Sequence, residues 1–317
     1  MSIERKSQLS RRAFLKQIGL GATAMVAAHA LGNQAQPVQA SELPTGPSWG
    51  MLIDLTRCVG CNSCALACKA ANNLPNADVE PQALGSDTYT FVDTRAVTTA
   101  EGEIETRHVK RQCMHCLDAA CVSACPAAAM YKSDEGPVIY RAERCLGCRY
   151  CQVACPFGVP SFEWDNGITP VISKCWLCYQ RLQTGQKPAC AEACPTGALR
   201  FGQRHTLLAQ AHAQIASNPG RYVDHIFGEF EVGGTSILYL SDIPFDELGF
   251  PVNLPNSAPP QETEKIMNTL PFVVTGVAAL MAGITAYTHH KSQKSLGPEN
   301  QNLVEVELPH SSGGEEG

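Results

Sequence analysis

Sixteen cysteines in a chain of 317 residues fall into four groups of four. Cys58, Cys61, Cys64 and Cys68 are spaced C-x2-C-x2-C-x3-C, and Cys145, Cys148, Cys151 and Cys155 repeat that spacing. In Cys113, Cys116, Cys121 and Cys125 the second gap widens to four residues, and in Cys175, Cys178, Cys190 and Cys194 to eleven. Pro126, Pro156 and Pro195 follow the last cysteine of three groups, whereas Lys69 follows that of the first. So many grouped thiols do three kinds of chemistry: disulfide cross-linking, zinc binding or iron–sulfur ligation. A disulfide framework pairs distant cysteines, and three within seven residues would invite exchange. Zinc takes four ligands per site, usually from two separated C-x2-C pairs, and has no use for a third thiolate close by.

The spacing fits iron–sulfur chemistry best. Gaps of two let a tight loop set three sulfurs around a cubane and leave the intervening amides free to bond its sulfides. Gly60, Gly147, Ala65 and Ala67 are small enough for such loops, and a proline after the fourth cysteine turns the chain away from helix. This is the bacterial ferredoxin run, in which the fourth cysteine ligates the neighbouring cluster. With all sixteen positions filled by Cys, four 4Fe-4S clusters are expected, with no open iron for a substrate. His115 lies between Cys113 and Cys116, but four thiolates already serve each site. Arg111, Arg144, Arg149 and Lys174 could raise nearby potentials, though most should be surface or ion-paired residues. Trp176 reads as packing.

Elements must hold these loops. Met130-Tyr131-Lys132 and Val138-Ile139-Tyr140 flank Asp134-Glu135-Gly136-Pro137 and read as a hairpin joining the two middle groups. That makes the middle groups one two-cluster unit and leaves the outer groups to form a second. By the fourth-ligand swap, the nested sites are Cys58, Cys61, Cys64 with Cys194; Cys175, Cys178, Cys190 with Cys68; Cys113, Cys116, Cys121 with Cys155; and Cys145, Cys148, Cys151 with Cys125. Sequential pairing, first group with second and third with fourth, is the alternative. A helix is expected over 206–217, ended by Asn218-Pro219-Gly220, and a strand over 235–240. Five prolines between Pro244 and Pro260 describe an extended strap suited to a partner's surface.

Both ends carry addresses. Ser10-Arg11-Arg12-Ala13-Phe14-Leu15-Lys16 precedes an uncharged run from Ile18 to Ala30 and the small-residue site Val38-Gln39-Ala40, the parts of a twin-arginine export signal cleaved after Ala40, with Ala28-His29-Ala30 as the weaker alternative site. Such export carries folded protein, which suits a cofactor loaded beforehand. Residues 266–288 hold no charged side chain and at about 1.5 Å per residue reach roughly 34 Å, enough to cross a hydrocarbon core. A buried core helix is the competing reading. Lys291 and Lys294 follow the segment while Lys265 alone precedes it closely, which places the C-terminus in the cytoplasm by the positive-inside rule. Removing residues 1–40 takes away five basic residues and one acid, so the charge moves from −6 to −10. That excludes nucleic acid as a partner.

On the four cysteine groups, the stretch Lys110-Arg111-Gln112-Cys113-Met114-His115-Cys116, the stretch from Gly233-Gly234-Thr235 to Pro244 and the tail helix, the chain resembles the four-cluster, ferredoxin-like electron-transfer subunits of membrane oxidoreductases, and more closely the hydrogenase-2 type. The segment between Cys68 and Cys113 is shorter than that type leads one to expect. The resemblance implies an α+β fold of two pseudo-symmetric dicluster modules with loop-rich insertions and one transmembrane helix. It implies a periplasmic wire, without a catalytic site of its own, between a hydrogenase or molybdopterin catalytic subunit and a multi-helix, quinone-reactive membrane subunit. No nucleotide motif or nucleophile is present to argue otherwise. The domains expected are a signal peptide at 1–40, the four-cluster domain at 41–204, a helix, strand and linker at 205–265, the membrane helix at 266–288 and a polar cytoplasmic tail at 289–317.

Overall fold

The computed structural model describes residues 48–98, 102–167 and 171–295. The export signal and most of the polar tail lie outside the described residues. The order is strand β1 (Trp49–Asp54), helix α1 (Ser63–Ala71), strands β2 (Thr90–Thr98) and β3 (Ile104–Gln112), helix α2 (Ala120–Ser123) and strands β4 (Met130–Lys132) and β5 (Val138–Tyr140). Helix α3 (Tyr150–Ala154), strands β6 (Ser161–Phe162) and β7 (Ile172–Ser173), and helices α4 (Tyr179–Gln183) and α5 (Ala189–Glu192) follow. Strand β8 (Leu199–Gln203), helix α6 (Arg204–Ser217), strand β9 (Ile237–Leu240) and helix α7 (Pro259–Ser295) complete the chain.

A three-stranded sheet organises the core. Strand β1 lies between β8, to which it is antiparallel, and β9, to which it is parallel. Side chains alternate along strands, and here both faces are buried. Met51, Ile53, Ile237 and Tyr239 face a core that contains Cys64 and Cys190. Leu52, Leu238 and Leu240 face Leu207 and Ala211 of α6. One face of the sheet thus supports cysteine loops while the other is closed by a helix.

The hairpin β4–β5 has the bounds expected from sequence, with Met130 opposite Tyr140. Helix α6 begins two residues earlier than expected and ends at Ser217 as expected, and β9 lies within 235–240. The longest ladder, β2–β3, pairs Thr90 with Gln112 through Thr98 with Ile104. Sequence reading assigned no element to that segment.

The strap is corrected. Phe245, Leu248 and Phe250 are buried in the main core, where Phe250 meets Phe227 and Tyr239 with ring centroids 4.6 and 4.9 Å away. The prolines do extend the backbone, but the aromatic and aliphatic residues between them bury more apolar area on this chain than an exposed strap would leave in water.

Helix α7 is longer than the uncharged segment. It packs at its base against α2, where Gln261 lies close enough to the Asp118 carboxyl to lower its pKa against the effect of burial. Its apolar side chains are exposed, among them Phe272, Val274, Leu280 and Tyr287, and none of the apolar window is buried. A core helix would be covered, so that alternative fails. Pro271 sits inside the helix, and Thr275 donates back to the Pro271 carbonyl at 2.7 Å. Length and composition make α7 a candidate membrane span.

Candidate iron–sulfur centres

All sixteen cysteines are free thiols. The two tightly spaced groups fold alike. A 3-10 turn (Leu55–Arg57, Ala142–Arg144) runs into Cys58 and into Cys145. Gly60 and Gly147 follow with φ of 70° and 68°, then Asn62 and Arg149, also left-handed, open helices α1 and α3. In both loops the second cysteine, Cys61 or Cys148, is exposed and the third, Cys64 or Cys151, is buried. The helices differ in length for a reason visible in the sequence. Pro156 follows Cys155 and α3 ends at Ala154, whereas Lys69 follows Cys68 and α1 continues to Ala71.

The two widened groups are deeper. Cys113, Cys121, Cys175 and Cys190 are buried, and the residue before each second cysteine is left-handed: His115 has φ 48° and Leu177 has φ 53°.

Fourth cysteines followed by proline share a turn that presents amides to sulfur. The third residue onward is left-handed in each case, Ala128, Gly158 and Gly197. Cys125 Sγ accepts from Ala129 N–H at 3.2 Å and Met130 N–H at 3.5 Å. Cys155 accepts from the amides of Val159, Phe157 and Gly158. At Cys194 burial opposes the thiolate, yet the N–H groups of Leu199, Ala198 and Thr196 with the Thr196 hydroxyl hold the thiol below its ordinary pKa. Gly147 N–H and Leu177 N–H likewise donate to Cys145 and Cys175, at 3.4 and 3.3 Å. Amides aimed at sulfur stabilise thiolate and suit a thiolate-bound cluster.

Distant groups meet at these sulfurs. Cys58 interacts electrostatically with Cys194, and Cys68 with Cys190 and Cys178. Cys116 and Cys121 interact with Cys155. Cys125, Cys145, Cys148 and Cys151 line one cavity with Ala129 and Tyr140. Electrostatic interactions also link neighbouring sets: Cys64 with Cys190, Cys175 with Cys113, and Cys121 with Cys151. No three described His, Cys, Asp or Glu side chains gather closely enough to hold a single ion; thiols spread one to a corner are what a cubane needs.

Burial pushes many of these thiols up, Cys64 and Cys151 to about 11 and Cys68 and Cys121 to about 12. Left alone at neutral pH they would keep their protons. Bound iron would supply the positive charge that makes thiolates tenable at these depths.

Of the four cations singled out by sequence, Arg144 and Arg149 are exposed, and Arg149 lies over the rings of Phe162 and Trp164. Arg111 pairs with Asp93 at 3.5 Å, lies over Phe250 and donates to the Leu248 carbonyl. Lys174 alone is buried, donating to the carbonyls of Val138 and Cys175. Trp176 stacks on Tyr89 with centroids 6.4 Å apart, as packing predicts. His115 is fully buried, its Nδ1 accepting from Val138 N–H at 3.0 Å. Sequence reading missed two lysines. Lys132, which is half-buried, donates to the Cys116 carbonyl at 2.7 Å, so only Lys110 of the two is fully buried; it lies on β3 and interacts electrostatically with cysteines of the first and last groups.

Comparison with known proteins agrees with this geometry. Residues 50–126 and 104–204 each match a family described as 4Fe-4S dicluster domain. The hydrogenase-2 operon protein HybA of Escherichia coli O157:H7 is 33% identical over 90% of this chain and 96% of its own length. A Nitratidesulfovibrio vulgaris protein is 39% identical over 92% of this chain and 80% of its own. The iron–sulfur subunit of nitrate-inducible formate dehydrogenase from Escherichia coli K12 is 34% identical over 60% of this chain and 66% of its own. Two dicluster domains and sixteen cysteines give four 4Fe-4S clusters. With relatives of this similarity and coverage, the chain belongs to the family of ferredoxin-like iron–sulfur electron-transfer subunits that includes HybA and the formate dehydrogenase iron–sulfur subunits.

Proposed function

We propose that this chain is a membrane-anchored wire that passes single electrons between an exported catalytic subunit and a multi-helix, quinone-reactive membrane subunit, with no catalytic site of its own. The observation that carries the proposal is the meeting of cysteines from distant groups. It supports the nested ligand sets: Cys58, Cys61, Cys64 and Cys194; Cys68, Cys175, Cys178 and Cys190; Cys113, Cys116, Cys121 and Cys155; and Cys125, Cys145, Cys148 and Cys151. Electrostatic interactions between neighbouring sets support a line in that order. The exposed Cys61 and Cys148 stand at its two ends, where electrons enter and leave. The matching backbone of the Cys58 and Cys145 loops supports two pseudo-symmetric modules joined by loop-rich insertions.

Helix α7 anchors the wire, and its base beside α2 sets the Cys113 and Cys145 sites toward the membrane. The exported face is periplasmic, reached by the twin-arginine route with cleavage after Ala40, and the tail from residue 289 is cytoplasmic. The catalytic partner is a nickel–iron hydrogenase. The longer coverage of HybA than of the formate dehydrogenase subunit favours it; the near-equal identities keep a molybdopterin oxidoreductase as the second reading.

Anaerobic purification of the membrane complex, with mass spectrometry and iron analysis, tests the proposal. Expected are a brown protein with about sixteen iron per chain, four per cubane, a nickel-containing partner and a polytopic membrane subunit. A molybdopterin partner would select the second reading. A colourless protein holding zinc or disulfides would overturn both.

A further inference from the structure

Lys110 sits opposite Val92 in the β2–β3 ladder, and its side chain is fully buried. Its Nζ donates to Thr90 Oγ1 at 2.7 Å and to Gln112 Oε1. Both partners are neutral. Among the described residues no carboxylate pairs with this ammonium, although Lys69, Arg107 and Arg181 each have one. A buried cation with only neutral partners is costly unless an anion lies close. The acidic groups that act on it are the thiols of Cys190, Cys64 and Cys175 and the phenol of Tyr239. It acts in turn on Cys58, Cys64, Cys68, Cys175 and Cys178. All six cysteines fall in two of the nested sets. At the Cys113 site the cations acting on Cys116 and Cys121 are Lys132 and Lys174; on Cys151 the leading influences are burial and the thiols of Cys125, Cys145 and Cys148.

We propose that Lys110 is the shared counter-charge of two adjacent clusters, one held by Cys58, Cys61, Cys64 and Cys194 and the other by Cys68, Cys175, Cys178 and Cys190. It raises both reduction potentials above those the thiolate cages alone would set. This rests on the ligand assignment proposed above. Each cubane with four thiolates carries net negative charge, and reduction adds one more; a fixed positive charge in a dry site between them favours the reduced form of both. Two elements converge to hold that charge: β3 carries it, and Thr90 of β2 orients it from across the ladder. An ammonium has no lone pair to give iron, so Lys110 is a positioning residue whose effect is read as potential.

Potentiometric titration of the detergent-extracted full-length complex, followed by electron paramagnetic resonance with iron counted in parallel, tests it. In Lys110→Met, two of the four midpoint potentials should fall, changing the reduced fraction at fixed potential about tenfold, about 59 mV for a one-electron centre; the other two should move less. Lys110→Arg should restore the parental values. A Met variant that loses two clusters while the Arg variant keeps four also supports a charge requirement. A Met variant with four clusters at parental potentials, a uniform shift of all four, or Met and Arg variants that both lose iron would overturn it. Fewer than four cluster signals in the parent would instead defeat the underlying assignment.

Discussion

The loops opened by Cys58 and Cys145 differ from those opened by Cys113 and Cys175 in spacing and in the depth of their cysteines. In the first pair the gaps are two, two and three; the helix starts at once from a left-handed residue, and the middle cysteine stays in solvent. In the second pair the middle gap lengthens to four or eleven, and the first and third cysteines are buried. Cations do not follow that division: Lys110 acts on Cys58, Cys64 and Cys68 as well as on Cys175, and Lys174 and Lys132 act on Cys121 and Cys116. Lengthening the middle gap therefore goes with burial of the first and third cysteines, while counter-charge follows desolvation wherever it occurs, and Cys64 and Cys68 are buried too. Negative clusters in a dry interior need cations, while clusters at the rim have water.

The widest separation between the two classes should appear on removing a ligand. Cys175→Ser takes a buried thiol from a site walled by its neighbours, and iron per chain should fall by more than the about four atoms of one cubane as the adjacent site fails with it. Cys148→Ser, at the exposed rim, should cost no more than about four. Iron analysis of the two variants checks this; equal losses would erase the distinction.

Next in size is Gly60→Ala in an outer loop. Gly60 has φ +70°, and a Cβ there would lie 2.5 Å from the His108 ring. The left-handed backbone alone costs about 1–2 kcal/mol for a non-glycine residue, and displacing His108 adds to it. Thermal unfolding of the loaded protein should show the loss. On the inner side Tyr239→Phe removes the buried bond of 2.8 Å to the Lys110 carbonyl. Losing that bond should cost about 1 kcal/mol by denaturant titration, with iron content unchanged.

The smallest change should be a gain. Ala128 holds the left-handed position that Gly158 and Gly197 occupy in the other Cys-Pro turns. Ala128→Gly should stabilise by about 0.5 kcal/mol, the relief of strain less the entropy that glycine adds to the unfolded chain. A destabilised variant would mean that the Ala128 methyl contributes more by packing than it costs in strain.

What sequence made legible was local. The four cysteine groups and the β4–β5 hairpin are written in spacing and turn residues, and both have the expected form. The β2–β3 ribbon escaped because Arg95, Arg107 and Lys110 interrupt the apolar alternation of two strands that are polar over much of their length. The segment around Phe250 was misread because its prolines are local signals, while the aromatic partners Phe227 and Tyr239 are distant in sequence and met only in the fold. Lys110 looks like any strand lysine until the burial of Val109 and Gln112 beside it reveals that both faces of the strand end are covered. Charge is visible in a sequence; desolvation is not.

The central claim, that cysteines of distant groups share clusters in nested fashion, is tested most directly by a structure of the anaerobically loaded chain with anomalous scattering recorded at the iron edge. The account predicts four cubanes, with Cys194 Sγ on the cluster of Cys58, Cys61 and Cys64, and Cys68 Sγ on that of Cys175, Cys178 and Cys190. Cys125 Sγ on the cluster of Cys58, or Cys68 Sγ on that of Cys113, as sequential pairing would have it, would contradict it.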